Sequence, residues 1–306
     1  MNWFWFAIIA LICWSGSDLF SKIGCCGEKD KTAHLKMVVA VGLVMGLHAA
    51  YMIVFHHVSV TWDVVWTYLP VSLLYIVSMT LGYVGLRYIE LSISSPICNS
   101  SGALVAVLCL CTGALSDYNG PQKAVILCAV GLVCLGVVGL GVVEAREDDD
   151  LRRRRQEHAN RKYAKSWLAI CLPVAYCLLD AAGTFADSLV LERLNEDSAN
   201  VAYELTFLAA GLARLVYLLA RREPLPSKAE LPKYVGAACE TVGQLFYIYA
   251  LADEEHVMMS APIISAYCVA SVLWSRLFLK EKLSWKHYLM IGFVVAGIVI
   301  LGIYDI

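Results

Sequence analysis

The chain has few charged residues for its size, and this shortage excludes most soluble folds. Only 16% of its 306 residues are Asp, Glu, Lys or Arg, against about 25% in an ordinary soluble domain. The formal net charge of −2 offers no basic surface, so we predict no nucleic-acid partner. No basic residue precedes the first apolar run, and we therefore predict a retained first span rather than a signal peptide.

Metal-ligand patterns are also missing. The twelve cysteines are scattered, no pair has zinc-ligand spacing with partner histidines, and most lie in apolar runs, where Cys behaves as a small hydrophobe. His34, His48, His56 and His57 form no ligand cluster by spacing. We predict neither a metal nor a cofactor.

Long apolar runs are what the sequence has instead. Hydrophobic residues make up 59% of the chain, and the run 124–143 contains no charged residue. About 20 apolar residues suffice to cross a hydrocarbon core. We predict an all-α polytopic membrane protein of the cell (plasma) membrane with ten transmembrane helices, at 3–22, 34–55, 68–87, 92–115, 122–143, 166–189, 199–220, 234–252, 257–279 and 287–304.

The two halves of the chain nearly repeat each other at a spacing of about 162 residues. Asp18 recurs as Asp180 and Pro70 as Pro232. Five spans per copy is an odd number, which inserts the copies upside down relative to each other, as in many secondary transporters. The predicted organisation is a first five-helix repeat, a charged linker and a second five-helix repeat, at 1–143, 144–165 and 166–306.

The linker also predicts the orientation of the chain. It contains Arg152 to Arg155 and further basic residues, and the loops after the first, seventh and ninth spans are basic as well. Cytoplasmic loops collect Lys and Arg. We therefore expect a cytoplasmic linker and, with ten spans, both termini on the outside.

Several short motifs resemble the EamA-type repeat of the drug/metabolite transporter superfamily. They are Trp-Ser-Gly-Ser-Asp-Leu-Phe-Ser-Lys at 14–22, the junction 85–96 with its counterpart 250–262, and Leu-Lys-Glu-Lys-Leu-Ser at 279–284, before a glycine-spaced last helix. The resemblance implies two inverted five-helix halves around a cavity lined mainly by spans other than the fifth and tenth. Members of this superfamily move amino acids, sugars, phosphorylated metabolites, nucleotide conjugates and drugs. Asp18, the Arg-rich linker and the outside termini depart from the usual pattern.

Charged residues inside spans cost about 2.5 to 3.5 kcal/mol each, and they persist when they face a cavity or one another. Asp18 and Asp180 are related by the repeat, so we expect them to lie on opposite sides of one cavity. Glu240, Gln244 and Tyr247 follow i, i+4, i+7 spacing and form one polar stripe. These five residues are the main predicted substrate- or proton-binding residues.

Three further charged residues leave alternatives open. Lys22 lies four residues after Asp18, so it either pairs with that aspartate or faces the cavity. Glu204 either pairs with another helix or binds a solute. Asp187 lies near the end of its span, which favours a solvated position. Pro96 and Pro262 favour helix starts.

These features favour a secondary transporter that moves a small polar metabolite by alternating access, with amino-acid efflux as the narrower expectation. A carboxyl group buried in apolar surroundings can take up a proton near neutral pH, and a carboxylate can hold an ammonium group. We expect the bilayer, the metabolite and protons as partners and a functional monomer. A non-transporting membrane receptor or scaffold is the alternative, and an intramembrane enzyme is less favoured.

Overall fold

The computed structural model describes residues 2–25, 32–88, 91–116, 118–145, 167–223, 230–279 and 283–304. Within these ranges the protein is built from α-helices joined by short turns, and no strand occurs. The predicted all-helical fold class is therefore confirmed. The charged linker and most of the basic loop residues that predict the orientation lie outside the described residues.

Twelve α-helices are described. They are α1 (Trp3–Cys25), α2 (Ala33–Phe55), α3 (Trp62–Tyr88), α4 (Leu91–Cys98), α5 (Ser101–Thr112), α6 (Gly120–Ala145), α7 (Trp167–Leu191), α8 (Glu196–Ala220), α9 (Leu231–Leu251), α10 (Val257–Ser265), α11 (Tyr267–Phe278) and α12 (Trp285–Tyr304). A 3₁₀ turn, Glu254–His256, leads into α10.

Nine helical segments in the described part of the chain are long and apolar enough to cross a membrane. In two of them, α4 with α5 and α10 with α11 form one crossing each. The remaining long helix, α9, has 21 residues and carries Lys233, Glu240 and Gln244, which lower its mean hydropathy. Counted with α9, the crossings match the ten predicted spans.

The fourth and ninth spans are broken, although the sequence pattern predicts continuous helices. The first break falls at Asn99 and Ser100, and the second at Ala266. Pro96 and Pro262 are each the sixth residue of the helix before the break, not first-turn residues as predicted. Proline has no N–H to donate and weakens the helix around it. The amide of Ala266 contacts the carbonyls of Pro262 and Ile263, at 3.0 and 3.1 Å, in a tight 3₁₀-type turn.

Several packing contacts correspond between the two halves of the chain: two helices are in contact, and their counterparts at the predicted repeat spacing are in contact too. Helix α1 packs on α9 as α3 packs on α7, and α2 packs on α9 as α3 packs on α8. The broken spans cross in the same way, since α4 contacts α11 and α5 contacts α10. Two helices also pack on their own counterparts in the other half: α2 contacts α8, and α6 contacts α12.

Helices α6 and α12 run antiparallel at close range. Gly136 meets Val294 while Gly297 meets Val133, so residue numbers rise along one helix as they fall along the other. A methyl group added at Gly297 would lie 2.6 Å from the carbonyl oxygen of Ala129. Small residues permit such close backbone contact between membrane helices, as predicted for these glycines.

Helices α2 and α8 are antiparallel in the same way. The Cα atoms of Gly42 and Gly211 lie against each other, and further along the pair His48 contacts Glu204. The outward faces of these and other helices expose large apolar side chains, such as Leu47 and Val216. Such a continuous apolar exterior fits lipid rather than water as the surrounding medium.

Candidate transport cavity

A cavity of about 70 Å³ whose lining includes several polar side chains lies at the centre of the bundle. It is bounded by α1, α3, α4, α7, α8, α9, α10, the Asn99 break and the start of α11. Within the described residues, neither α6 nor α12 contributes to the lining, in line with what the family resemblance implies. The space is large enough for several water molecules or a small solute.

Asp18 and Asp180 both line this cavity, one from each half of the chain. Asp18 accepts hydrogen bonds from Ser95 Oγ at 2.5 Å and Ser271 Oγ at 2.8 Å. Those two serines stand on α4 and α11, so this aspartate joins the broken spans of both halves. Asp180 accepts one hydrogen bond, from Ser101 Oγ at 2.7 Å, at the start of α5.

The predicted stripe on α9 faces the same space. Glu240, Gln244 and Tyr247 all line the cavity, and the Ser17 hydroxyl faces the Glu240 carboxyl group. The i, i+4, i+7 spacing turns the three side chains to one side of α9. Together with Asp18 and Asp180, three carboxyl groups therefore share one small cavity.

The acidic groups are surrounded by aromatic rings. Trp14 packs on Tyr247 and Tyr267, with ring centroids 4.9 and 5.7 Å away. Gly243 leaves room for the indole, because a methyl group there would collide with it. Four more tyrosines complete the lining, namely Tyr75, Tyr83, Tyr176 and Tyr203. Aromatic faces attract cations.

No Lys, Arg or His belongs to the lining as far as the structure describes it. Three lining groups that can donate hydrogen bonds, the Trp14 indole N–H, the Tyr83 hydroxyl and Gln244 Nε2, are buried without a partner among the described residues. Buried polar atoms usually have partners. The lining therefore combines three carboxyl groups with three hydrogen-bond donors that have no partner among the described residues.

Lys22 does not line the cavity. Its Nζ donates to the carbonyl oxygen of Leu86 at 2.7 Å, near the end of α3. Although Asp18 and Lys22 are four residues apart, the hydrogen bonds that hold the Asp18 carboxylate come from Ser95 and Ser271. Lys22 is therefore a predicted site residue that the structure does not bring to the cavity lining.

Glu204 also lies outside the cavity. His48 Nδ1 is 2.7 Å from Glu204 Oε1, and Asn200 Nδ2 donates to the same oxygen at 3.3 Å. The carboxyl group is thus held between α8 and α2. Of the two alternatives that the sequence left open, pairing across to another helix is the one observed.

Asp187 is fully buried and not at a solvated helix end, which corrects the prediction for this residue. The Tyr68 hydroxyl donates to Asp187 Oδ1 at 2.6 Å. Tyr68 stands on α3 and is 119 positions away in the chain. The sequence does not predict this pair, because each residue taken alone is a polar group near the end of a predicted span. The contact depends on tertiary packing.

The sequence interpretation missed most of the tyrosines. Tyr75, Met79, Tyr83 and Leu86 line the cavity at steps of four, four and three residues along α3. This spacing marks one face of a helix. The stripe escaped notice because Tyr and Met in an apolar run look like ordinary core residues. Within the described residues, no group of three or more His, Cys, Asp or Glu side chains has metal-site geometry.

The fold and the cavity define a multi-pass α-helical membrane protein with a central acidic chamber. Residues 167–303 match the EamA-like transporter family. The second half of the chain is therefore similar to an EamA-like transporter domain, and the resemblance seen in the sequence motifs of that half is confirmed. Proteins of this family are membrane transporters of the drug/metabolite type, not enzymes.

Solved structures add a likeness in fold. Among 28 matching chains is one described only as a crystal structure of a protein, with a TM-score of 0.63 and 13% identity. The match covers 99% of this chain and 96% of the other. At this identity the likeness concerns the fold alone. A comparison with curated proteins finds no match.

Proposed function

We propose that this protein is a secondary transporter that moves a small polar metabolite across the plasma membrane by alternating access. The observation that carries the proposal is the convergence of Asp18, Asp180 and Glu240 on one small buried cavity. Ionisable groups at membrane depth are costly and mark solute or ion pathways. Because these carboxyl groups come from both halves of the chain, a solute in the cavity can be bound by each half.

Alternating access needs two halves that rock about a shared site, and inverted repeats supply them. The antiparallel contacts of α2 with α8 and of α6 with α12 support an inverted relation. Corresponding helices of two parallel repeats would point the same way. The corresponding packing contacts support the same relation.

The broken spans support transport over static binding. Discontinuous membrane helices commonly form transporter binding sites near the midplane, because their free backbone groups and flexible junctions meet the solute there. Here Asn99 lines the cavity at the first break, and Ser265 and Tyr267 flank the second. The first break also lies between Ser95 and Ser101, the two serines that donate hydrogen bonds to Asp18 and Asp180.

The chemistry of the lining favours a substrate with a protonated amine. Three carboxyl groups with no described basic residue among them attract positive charge, and the aromatic rings of Trp14, Tyr247 and Tyr267 add cation–π attraction. The unpartnered donors suit an acceptor at the other end of the molecule. A small amino acid has both features, so amino-acid efflux is the narrower proposal.

Protons are the proposed coupling ion, since a carboxyl group can hold either a proton or a substrate ammonium but not both. This competition links the two fluxes without further parts. We further propose that the chain works as a monomer in the bilayer, because two fused halves replace a symmetric dimer.

A membrane receptor or scaffold would share the binding site but would not move its ligand. Screening purified protein by thermal shift against amino acids, simple amines, hydroxy acids and sugars tests binding. Uptake of the best stabiliser into liposomes, with and without a pH gradient, then tests transport. Flux that depends on the gradient supports the proposal, whereas stabilisation without flux favours the receptor.

Selectivity is tested with a matched trio of compounds. L-valine, its hydroxy-acid analogue and isobutylamine share an apolar side chain but carry an ammonium and a carboxylate, a carboxylate only, or an ammonium only. The lining predicts stabilisation by L-valine and the amine and none by the hydroxy acid. The reverse order would exclude recognition of the amine.

A further inference from the structure

Asp187 is a buried carboxyl group that the cavity does not use. It lies on α7, four residues before the helix ends at Leu191, and it is fully buried. It is not among the cavity-lining residues, and no ion pair in the described part of the chain includes it. A buried carboxylate without a cation is costly, so its presence calls for a role.

The surroundings of Asp187 consist of hydroxyl groups. Tyr68 donates to Oδ1 at 2.6 Å, while Oδ2 is buried with no hydrogen-bond partner among the described residues. The hydroxyls of Tyr75 on α3 and Tyr247 on α9 also face the carboxyl group. From α8, Tyr203 packs on the Tyr68 ring with centroids 6.3 Å apart. None of these tyrosines is a cation that could balance a negative charge.

A chain of hydroxyls connects this site to the cavity. Tyr75 donates to Thr184 Oγ1 at 3.1 Å and shares a short hydrogen bond with the Tyr247 hydroxyl. Tyr75, Thr184 and Tyr247 all line the cavity. Asp180 stands one helical turn before Thr184 on α7, on the same face. Hydroxyl groups that both donate and accept protons therefore lead from the cavity lining, one helical turn from Asp180, to Asp187.

We propose that Asp187 is a second proton-binding site, separate from the carboxyl groups that hold the substrate and loaded through the hydroxyls of Tyr75, Thr184 and Tyr247. The inference rests on the proposed proton-coupled function. When an ammonium group enters the cavity, the proton it displaces leaves a cavity carboxyl group. Each hydroxyl on the way accepts one proton and releases its own. The last one protonates the Asp187 carboxylate, and no bond between heavy atoms changes.

A second proton-binding site gives the displaced proton a way out of the cavity during proton-coupled exchange. If substrate and proton compete only for the same carboxyl groups, a displaced proton must escape past the arriving substrate. With Asp187 beyond the cavity, the proton instead moves toward the membrane face where α3 begins and α7 ends. Release from there requires the Tyr68–Asp187 contact to open.

Infrared difference spectroscopy of the reconstituted protein between high and low pH tests the proposal without any substrate. A protonated buried carboxyl group gives a carbonyl-stretch band that an ionised one lacks. We expect Asp187→Asn to remove one titrating band, Asp187→Glu to restore a shifted one, and Tyr68→Phe to move the pH at which that band titrates. The control Asp63→Asn, at the exposed start of α3, leaves the band assigned to Asp187 in place.

If the titrating bands of Asp187→Asn match those of the unmodified protein, Asp187 does not bind protons and the proposal fails. The proposal also fails if Asp187→Asn is lost to misfolding and Tyr68→Phe leaves every band in place. The outcome is independent of the proposed transport. A titrating Asp187 band with no flux would refute transport alone, and gradient-driven flux without an Asp187 band would refute only this inference.

Discussion

The two ends of the bundle are closed by different chemistry. At one end, which we call the lysine end, Glu230 lies 2.5 Å from Lys233 and 3.5 Å from Lys36, and Lys22 donates to a backbone carbonyl. At the other, the tyrosine end, Tyr68 donates to Asp187 and no lysine takes part among the described residues. One closure is ionic and the other is made of hydroxyl and carboxyl groups.

This difference is informative because, at the predicted repeat spacing, the two ends occupy corresponding positions of the two halves. At the repeat spacing, Glu230 corresponds to Tyr68, Lys22 to Thr184 and Cys25 to Asp187. Several helix contacts correspond between the two halves, whereas these side chains differ. If the two halves perform the same motion, the two ends are closed by different contacts. Among the described residues, the Glu230 carboxylate pairs with lysines, whereas the Asp187 carboxyl group is in no ion pair.

The largest expected effect is at the lysine end. Glu230→Ala removes the carboxylate that both Lys36 and Lys233 contact, and uncoupling a buried ion pair costs about 3–5 kcal/mol. Unfolding free energy measured in detergent–denaturant titrations checks this, with Glu254→Ala at an exposed position as control. A variant as stable as its control would show that the ionic closure contributes little.

A smaller loss is expected at the tyrosine end. Tyr68→Phe leaves the packing of the ring intact but removes the hydrogen bond to Asp187, which should cost about 1–3 kcal/mol for a buried polar group left without its partner. Tyr51→Phe, on an exposed tyrosine that contacts His56, is the matched control. A loss larger than that of Glu230→Ala would reverse the ranking of the two closures.

The smallest effects are expected from a methyl group added at one glycine of each end. A methyl group at Gly24 would lie 2.8 Å from Lys233 Cγ, and one at Gly183 would lie 3.2 Å from Tyr75 Cε1. Each Gly→Ala change gains about 1 kcal/mol in helix propensity. Lys233 is not a lining residue of the cavity, whereas the Tyr75 ring lines it and is held by two hydrogen bonds.

We therefore expect Gly24→Ala to leave amine binding unchanged and Gly183→Ala to weaken it, because Tyr75 lines the cavity. Thermal-shift titration with isobutylamine measures amine binding by both variants and tests this expectation. Equal binding by the two variants would mean that displacing the Tyr75 ring does not disturb amine binding.

Much of the framework follows from local pattern. Apolar runs and the repeat predict the spans, and the mirrored aspartates with the α9 stripe predict five residues that the structure brings to one cavity. The breaks at Ser100 and Ala266 were not predicted, because a proline near a span start also reads as an ordinary first turn.

What the sequence could not supply are contacts between distant segments. Asp187 is buried because Tyr68 covers it, and Glu204 is occupied because His48 reaches it across 156 positions. A single sequence gives the type of residue and its helix face, but not the partner that meets it. The roles of Asp18, Asp180, Glu240, Gln244 and Tyr247 in binding stay predictions.

The most direct test of the account is uptake of the selected amine into liposomes by Asp18→Asn, Asp180→Asn and Glu240→Gln, driven by a pH gradient. The exposed Asp63→Asn serves as control. The account predicts that each cavity variant loses gradient-driven uptake while the control retains it. Full gradient-driven uptake by all three cavity variants would contradict it.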